Sequence, residues 1–590
     1  MNNNSNEMRL KGIPICRGVA IGKLYFFTFD EGEVPEFTIP SKKVDEEVSR
    51  YINAITRSKD DLKRLQKKLK REHILEGAAI LDAHIEMMQD PLLTTDIEEE
   101  IRKTRKNAEF VFQAIIKKCQ KRFQSISDPY FRERFNDIQD IAQRVMGYLR
   151  KNVRTRLWKI PQNSVVFSTE LTASCIAEAN VSFVDAFVTA TGGVMSHAAI
   201  VAKAKGIPYV TDINFEHLSH INEQNFVIVD GRKGEVIINP NQETLNAYLL
   251  IKRQWHTHIH TLQENRSLSS ETKDGHKIKL FANVDMESEL DTIHEQGGQG
   301  IGLFRSEYIF LSNDSFPSEE EQFGIYRRIA EKMNNLPVVI RTFDFGGDKL
   351  MLNHAMSLDG NPFLGCRAIR YLLRERDIFK SQLRAILRAS AYGNLSVMFP
   401  MISQLSELVE AKEILFEARQ ELEKRSVDLA ETMRIGCMIE VPSAAIMTDL
   451  LAKECDFLAI GTNDLVQYLR AVPRGYYSTS GFYASTDPSV IRMIQHVVKE
   501  ANNLHLPVAV CGEIAADPRF TPLLIGLGIH ELSVACRYIP LIKRTIRALS
   551  MAYVYRLTQE ISAMSNAHDI FELLHQEYRR ANPEDQFYHC

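Results

Sequence analysis

Thr191-Gly192-Gly193-Val194-Met195-Ser196-His197-Ala198-Ala199-Ile200 is one stretch in which residue type and spacing suggest chemistry. The paired glycines permit a sharp turn and close backbone approach. Ser196 is placed to cap a helix running to Lys205, which puts His197 in its first turn. Neutral imidazole is a competent nucleophile near pH 7, and a phosphate carried on it would meet unpaired N–H groups and the positive helix end. Position alone also fits a histidine that only supports the turn.

A second set of reactive types falls at the ends of short apolar runs. These ends read Gly-Leu-Phe-Arg305-Ser-Glu307, Ile-Arg341-Thr-Phe-Asp344 running on to Lys349, Met-Ile-Glu440, Ile-Gly-Thr-Asn463-Asp464 with Arg474 beyond it, and Val-Cys511-Gly-Glu513. Arginine forks match phosphate and carboxylate bidentately, so Arg305, Arg341, Lys349 and Arg474 suit a small, densely anionic substrate. Glu440 and Asp464 supply two hard oxygen donors, the usual protein share of a Mg²⁺ site. Any one of these charges could be an ordinary loop residue; gathered on one rim they could not.

The elements that must bring them together follow from periodicity. Residues 10–28 alternate short apolar runs with Gly18 and Gly22 and predict strands. From about Val44 to Leu149 the apolar spacing is helical, with breaks near Asp90-Pro91 and Ser127-Asp128-Pro129, which predicts four helices. The intervening Lys and Glu residues read as a solvated surface. Strand-like runs return at Ser164–Phe167, Ala186–Ala190, Phe226–Val229 and Glu235–Ile238. One α/β domain (1–40 and 153–240) with a helical insert (41–152) accounts for this, followed by a polar helical connector over 241–270. From 271 to 590 strand-like runs alternate with helical ones, starting at Ile278–Asn283, Gly300–Phe304 and Val338–Thr342. They continue at Leu395–Phe399, Arg434–Ile439, Phe457–Ile460, Val508–Val510 and Glu531–Val534. That rhythm predicts a (β/α)8 barrel of the TIM type, whose reactive groups sit at the C-terminal strand ends. A doubly wound open sheet is the competing arrangement, although Asn283-Val284-Asp285-Met286 is not the Gly-rich turn it would need.

Composition narrows the class. The 590 residues exceed one core, and a net charge of -4 argues against a nucleic-acid surface or a membrane-adsorbing face. The polar opening Met-Asn-Asn-Asn-Ser-Asn is not a signal peptide, and no apolar run suits a bilayer span. Nine scattered cysteines without a C-x-x-C pair fit a reducing, cytoplasmic setting.

At these residues the chain resembles Enzyme I of the phosphoenolpyruvate:sugar phosphotransferase system. The most specific stretches are Gly-Leu-Phe-Arg305-Ser-Glu307, Arg341-Thr-Phe-Asp-Phe-Gly-Gly-Asp-Lys349, Asn361-Pro-Phe-Leu-Gly-Cys-Arg367, Ile460-Gly-Thr-Asn463-Asp464 and Cys511-Gly-Glu513. The resemblance implies a swivelling phosphohistidine α/β domain, an inserted helical domain that docks the phosphocarrier protein HPr, a connector helix, and a barrel that pairs into a homodimer. It implies that His197 accepts the phosphoryl group of phosphoenolpyruvate and passes it to a histidine of HPr. By the same resemblance Arg305, Arg341, Lys349, Arg367, Asn463, Asp464 and Arg474 bind substrate, and Glu440 and Asp464 hold Mg²⁺. Cys511 protonates the enolate to pyruvate; as a bare residue it also reads as a small buried hydrophobe. The chain departs from the family's pattern at Met195, Lys203 and Glu170 around the histidine, and at Val472-Pro473-Arg474-Gly475-Tyr476. Met195 and Lys203 motivate the alternative of a weakened relative that binds HPr without efficient transfer. A phosphoenolpyruvate synthase or pyruvate phosphate dikinase would need a nucleotide-binding unit for which no stretch is left.

Overall fold

In the computed structural model, alternation along the strands decides what each face of the first sheet meets. The structure describes residues 7–27, 34–71, 74–124, 129–150, 160–193, 196–215, 221–222, 225–311, 316–344, 364–472 and 485–582. It divides into two compact units, Met1–Thr257 and His258–Gln586, with the division inside the predicted connector.

In the first unit, β1 (Met8–Lys11), β2 (Ile13–Cys16), β3 (Val19–Phe26), β4 (Ser164–Ser168), β5 (Val184–Thr189), β6 (Tyr209–Thr211), β7 (Phe226–Asp230) and β8 (Glu235–Ile238) form one sheet. Its order is β1-β8-β7-β3-β4-β5-β6-β2, and β3, β4, β5 and β6 are parallel. With a side-chain period of two, Val166 and Phe187 join the core shared with the helices, while Val165, Phe167, Ala186 and Val188 form a core on the other face. Tyr209–Thr211 was not anticipated as a strand; it is only three residues long.

The helices between β3 and β4 are α1 (Val44–Arg71), α2 (Leu75–Met87), α3 (Thr95–Thr104), α4 (Ala108–Gln124) and α5 (Pro129–Leu149). Four were expected, and the described residues contain one more. Two junctions were not named from sequence, between α1 and α2 and between α3 and α4; the second is at Arg105, whose φ of 52° ends α3 in the left-handed region. Asn107 then holds the turn: its side chain accepts from Phe37 N at 3.2 Å and donates to Pro35 O at 3.1 Å. Next come α6 (Ala173–Glu178), α7 (His197–Lys205) and α8 (Gln242–Glu264), the last lying within the connector read from sequence.

The second unit closes into the predicted barrel. Its strands are β9 (Lys279–Val284), β10 (Ile301–Arg305), β11 (Val338–Arg341), β12 (Leu395–Phe399), β13 (Arg434–Ile439), β14 (Phe457–Ile460), β15 (Val508–Val510) and β16 (Glu531–Ala535). All neighbours are parallel, and β16 pairs with β9, so the open-sheet alternative is excluded. Leu303, Met398, Met438, Phe457, Ala459 and Cys511 form one cluster, while alternate residues such as Phe304 and Phe399 pack against helical Tyr326 and Phe379. This two-sided burial explains the nearly continuous apolar runs of the strands. No helix among the described residues is long and apolar enough to cross a membrane.

Candidate active site

The barrel gathers its reactive groups where β10, β11, β13, β14 and β15 end. Arg305 and Arg341 are the last residues of β10 and β11, while Glu440 and Cys511 directly follow β13 and β15. Asn463 and Asp464 lie in the first turn of the helix Thr462–Arg470 after β14. Lys349 and Arg474 lie outside the described residues.

Contacts tie this rim into one network. Arg341 is almost fully buried; its guanidinium pairs with Glu307 and lies 3.4 Å from Asp344 Oδ2. Arg367 donates to Asp344 Oδ1 at 2.9 Å and to Tyr468 Oη at 3.1 Å, and its Nη1 is 3.9 Å from Asp464 Oδ1. Arg305 donates to Asp285 Oδ1 at 3.2 Å. Asn463 Oδ1 accepts from Glu513 N at 2.8 Å, which fixes the turn after β15 against the turn after β14. Burial weighs against the Arg341 and Arg367 cations, but the neighbouring carboxylates raise both above the ordinary arginine value.

Glu440 is 1% exposed and accepts from Met401 N at 2.7 Å. Burial, followed by repulsion from Asp464, pushes its carboxyl up to about 8. Backbone spacing forces this crowding: a Cβ on Gly461 would lie 2.6 Å from Glu440 Oε2, and one on Gly512 would lie 1.8 Å from Thr462 Oγ1. Glycine at both places lets the ends of β13, β14 and β15 close up. Among the described residues of the cluster, Glu307, Asp344, Glu440 and Asp464 outnumber Arg305, Arg341 and Arg367, and Glu307 Oε2 is buried without a hydrogen-bond partner. An excess of buried carboxylate oxygens fits a hard divalent cation. Cys511 is 4% exposed; its Sγ lies 3.5 Å from Ile460 O, and burial pushes the thiol up to about 12.

The histidine site lies in the first unit. Ser196 caps α7 as expected, its Oγ accepting from Ala199 N at 3.2 Å, and His197 is the first helical residue. Val194 and Met195 lie outside the described residues. The His197 side chain is 32% exposed in a cleft that also includes Glu170, Thr172, Gly192 and Gly193. Burial alone raises the Glu170 carboxyl.

Two neighbours of His197 escaped the sequence reading. Asp137 on α5 and His84 on α2 are buried, and Asp137 Oδ1 lies 2.8 Å from His197 Nδ1 and 3.0 Å from His84 Nε2. Burial pushes the Asp137 carboxyl up, but hydrogen bonds from both rings outweigh it and hold it at about 2. A legible signal was the spacing of Asp137, Asp140 and Arg144, three and four apart on one face of α5. All three are buried: Asp140 accepts from Ser174 N at 3.0 Å, and Arg144 donates to Glu178 at 2.7 Å and Ser174 at 2.9 Å.

Comparison with known proteins runs along both units. The chain matches the family of the PEP-utilising enzyme, N-terminal, over residues 11–134, the mobile domain over 160–234 and the PEP-binding domain over 260–551. It is 36% identical over 580 residues to the phosphoenolpyruvate-protein phosphotransferase of Bacillus subtilis (strain 168), covering 97% of this chain and 100% of that protein. The protein of the same name from Priestia megaterium is 36% identical over 571 residues, covering 96% and 98%. A solution structure of Enzyme I (nEIt) is 29% identical, covers 42% of this chain and 99% of that one, and superposes with a TM-score of 0.36. Similarity on this scale, continuous through the histidine-bearing half and the barrel, makes the chain a member of the phosphoenolpyruvate-protein phosphotransferase family.

Proposed function

We propose that the chain is the general phosphotransferase of a sugar phosphotransferase system, moving the phosphoryl group of phosphoenolpyruvate to His197 and then to a histidine of the carrier HPr, with release of pyruvate. The observation that carries this reading is the single network at the barrel rim: arginines, crowded carboxylates and a protonated thiol on adjoining strand ends. A decayed adaptor would have no use for buried like charges, which cost stability unless a ligand or metal offsets them.

Arg305, Arg341 and Arg367, with Lys349 and Arg474, bind the carboxylate and phosphate of the substrate. Asn463 orients it from the turn that it fixes. Glu440 and Asp464 are the residues that would hold Mg²⁺. When bound, the ion neutralises charge on the phosphate and the enolate oxygen. A ring nitrogen of His197 attacks phosphorus in line; phosphoryl transfer asks the protein mainly for positioning and charge neutralisation. Cys511 gives its proton to the methylene carbon of the departing enolate. The histidine and the rim belong to different compact units, so His197 must reach the rim for transfer. In this reading the α/β domain spans 1–40 and 153–240, 41–152 dock HPr, 241–270 connect, the 271–590 barrel pairs two chains, and the reaction takes place in the cytoplasm.

The test is incubation with labelled phosphoenolpyruvate and Mg²⁺, followed by mapping of the acid-labile phosphate. Label on His197 that disappears in His197→Ala, with passage to added HPr, is the expected result. Label elsewhere, or label surviving that substitution, overturns the assignment.

A further inference from the structure

Where the ladder between β10 and β11 runs out, something else must hold the residues that face the rim. We propose that Gln382, on the helix Arg376–Ala389, is a positioning residue that sets the spacing of the strand ends carrying Arg305 and Arg341. The inference deepens the proposed function and rests on that rim being the phosphoenolpyruvate site.

The last residues of β10 and β11 in register are Arg305 and Arg341. Beyond them one chain continues as Ser306-Glu307 and the other as Thr342-Phe343-Asp344. Ser306 and Phe343 are both 0% exposed, so their polar groups cannot turn to water. A buried backbone N–H left unpaired is costly, so the group that pairs with it helps decide where the chain runs. Thr342 N is taken up by Met398 O of β12 at 3.0 Å. Phe343 N has no such strand neighbour and donates to Gln382 Oε1 at 3.0 Å. The same carboxamide donates through Nε2 to Ser306 Oγ at 2.9 Å and to Tyr326 Oη at 3.2 Å.

Proton count fixes the direction of every bond. Phe343 N can only donate, so Gln382 turns its oxygen that way and its nitrogen towards the two hydroxyls. The two N–H protons serve Ser306 and Tyr326, which leaves each hydroxyl to donate onward. Ser306 Oγ donates to Arg341 O at 2.7 Å, and Tyr326 Oη donates to Gln322 Oε1 at 3.4 Å. Gln322 Nε2 then donates to Pro317 O at 2.9 Å. Turning the Gln382 amide over would set N–H against N–H. One side chain therefore ties Ser306, between Arg305 and Glu307, to Phe343, next to Asp344. Through a single hydroxyl it also reaches the carbonyl of Arg341.

The charges of the rim hang on the backbone spaced in this way. Arg341 pairs with Glu307 across the two strand ends, and Asp344 lies against both Arg341 and Arg367. Guanidinium forks meet phosphate and carboxylate in fixed geometry. A shift of about 1 Å between the strand ends would cost on the order of 100-fold in rate. Gln382 is itself 0% exposed, so it acts through the chain that carries the arginines and not by touching substrate.

The test compares three variants of the full-length protein. Gln382→Met keeps length and bulk but makes none of the three bonds. Its kcat/KM for phosphoenolpyruvate, read from pyruvate release with Mg²⁺ and HPr present, should fall about 10–100-fold, with KM rising. Passage of phosphate from loaded His197 to HPr should stay within about twofold of wild type, since that step makes no use of the barrel. Gln322→Met removes buried hydrogen bonds of the same network one step further from the strand ends. It should lower the denaturant midpoint, followed by circular dichroism, comparably to Gln382→Met and leave kcat/KM within about twofold of wild type. Ser306→Ala breaks the link to Arg341 O and should lower kcat/KM in the same direction; it decides the question if Gln382→Met does not fold. Wild-type kinetics in a folded Gln382→Met overturn the proposal. So does an equal kinetic loss in Gln322→Met, or an equal loss in transfer to HPr, either of which marks general damage. Absence of pyruvate release from the wild type would instead sink the proposed function, and this inference with it.

Discussion

Cys511 is the residue whose assigned role most depends on its surroundings. Its thiol is pushed from an ordinary 9.0 up to about 12, chiefly by burial and next by the charge of Glu440. At pH 7–8 that difference leaves about a thousandfold less thiolate than an unperturbed cysteine would have. Alkylation proceeds through the thiolate, so iodoacetamide should modify Cys511 at least about 10³ times more slowly than exposed Cys366. Timed alkylation of the metal-free protein followed by peptide mass spectrometry gives both rates in one sample. In the proposed reaction the same thiol, kept protonated, supplies the proton that the enolate takes up. Cys511→Ser should therefore lower steady-state pyruvate release by about 10²–10⁴-fold. Exchange of phosphate between phosphoenolpyruvate and His197 should survive, because that step makes no use of the acid. Across pH 8 to 10 the wild-type rate should show no limb attributable to thiol ionisation. Alkylation of Cys511 within about tenfold of Cys366, or loss of exchange together with turnover in Cys511→Ser, would refute the reasoning.

Two further outcomes follow from the charged clusters. Asp137 holds a proton less tightly in the folded chain than its ordinary 3.8, at about 2, so its interactions add about 2 kcal/mol above pH 4 and lose it as the pH falls from about 4 through about 2. Asp137→Asn should show that deficit at pH 7 and converge on the wild type near pH 2, as read by denaturant unfolding followed by circular dichroism. Glu440→Gln removes a charged oxygen donor and should raise the Mg²⁺ concentration for half-saturation by about tenfold or more, read directly by calorimetry with the metal alone.

The barrel was legible because each strand is buried on both faces, which makes short apolar runs stand out between amphipathic helices. Leu395–Phe399 and Phe457–Ile460 coincide with the strands found. Strand ends were legible too, so Arg305, Arg341, Glu440 and Cys511 could be named before any coordinates. Glu307 and Asp344 stood in the same stretches but were read only as neighbours, since nothing in a sequence says which charge a buried arginine will face. Asp137 and His84 were harder. They reach His197 from helices 60 and 113 positions upstream, and only packing the insert on the sheet brings them there. The Arg105 break was equally obscure, since a left-handed non-glycine residue leaves no mark in composition.

The two sites use opposite solutions to the problem of buried charge, and the contrast accounts for their chemistry. At His197 one carboxylate is shared by two imidazoles, so the anion is satisfied within the protein and its carboxyl is held low. Such a site needs no ligand to be stable, which suits the carrier role proposed for His197. Among the described residues at the rim the carboxylates exceed the guanidiniums, burial and then Asp464 push the Glu440 carboxyl up, and Glu307 keeps an oxygen without a hydrogen bond. In the proposed function a divalent cation offsets that excess, and the arginines, with Lys349 and Arg474, take the anion that accompanies it. The strained rim and the satisfied histidine site are therefore what the proposed capture and carriage of a phosphoryl group would require.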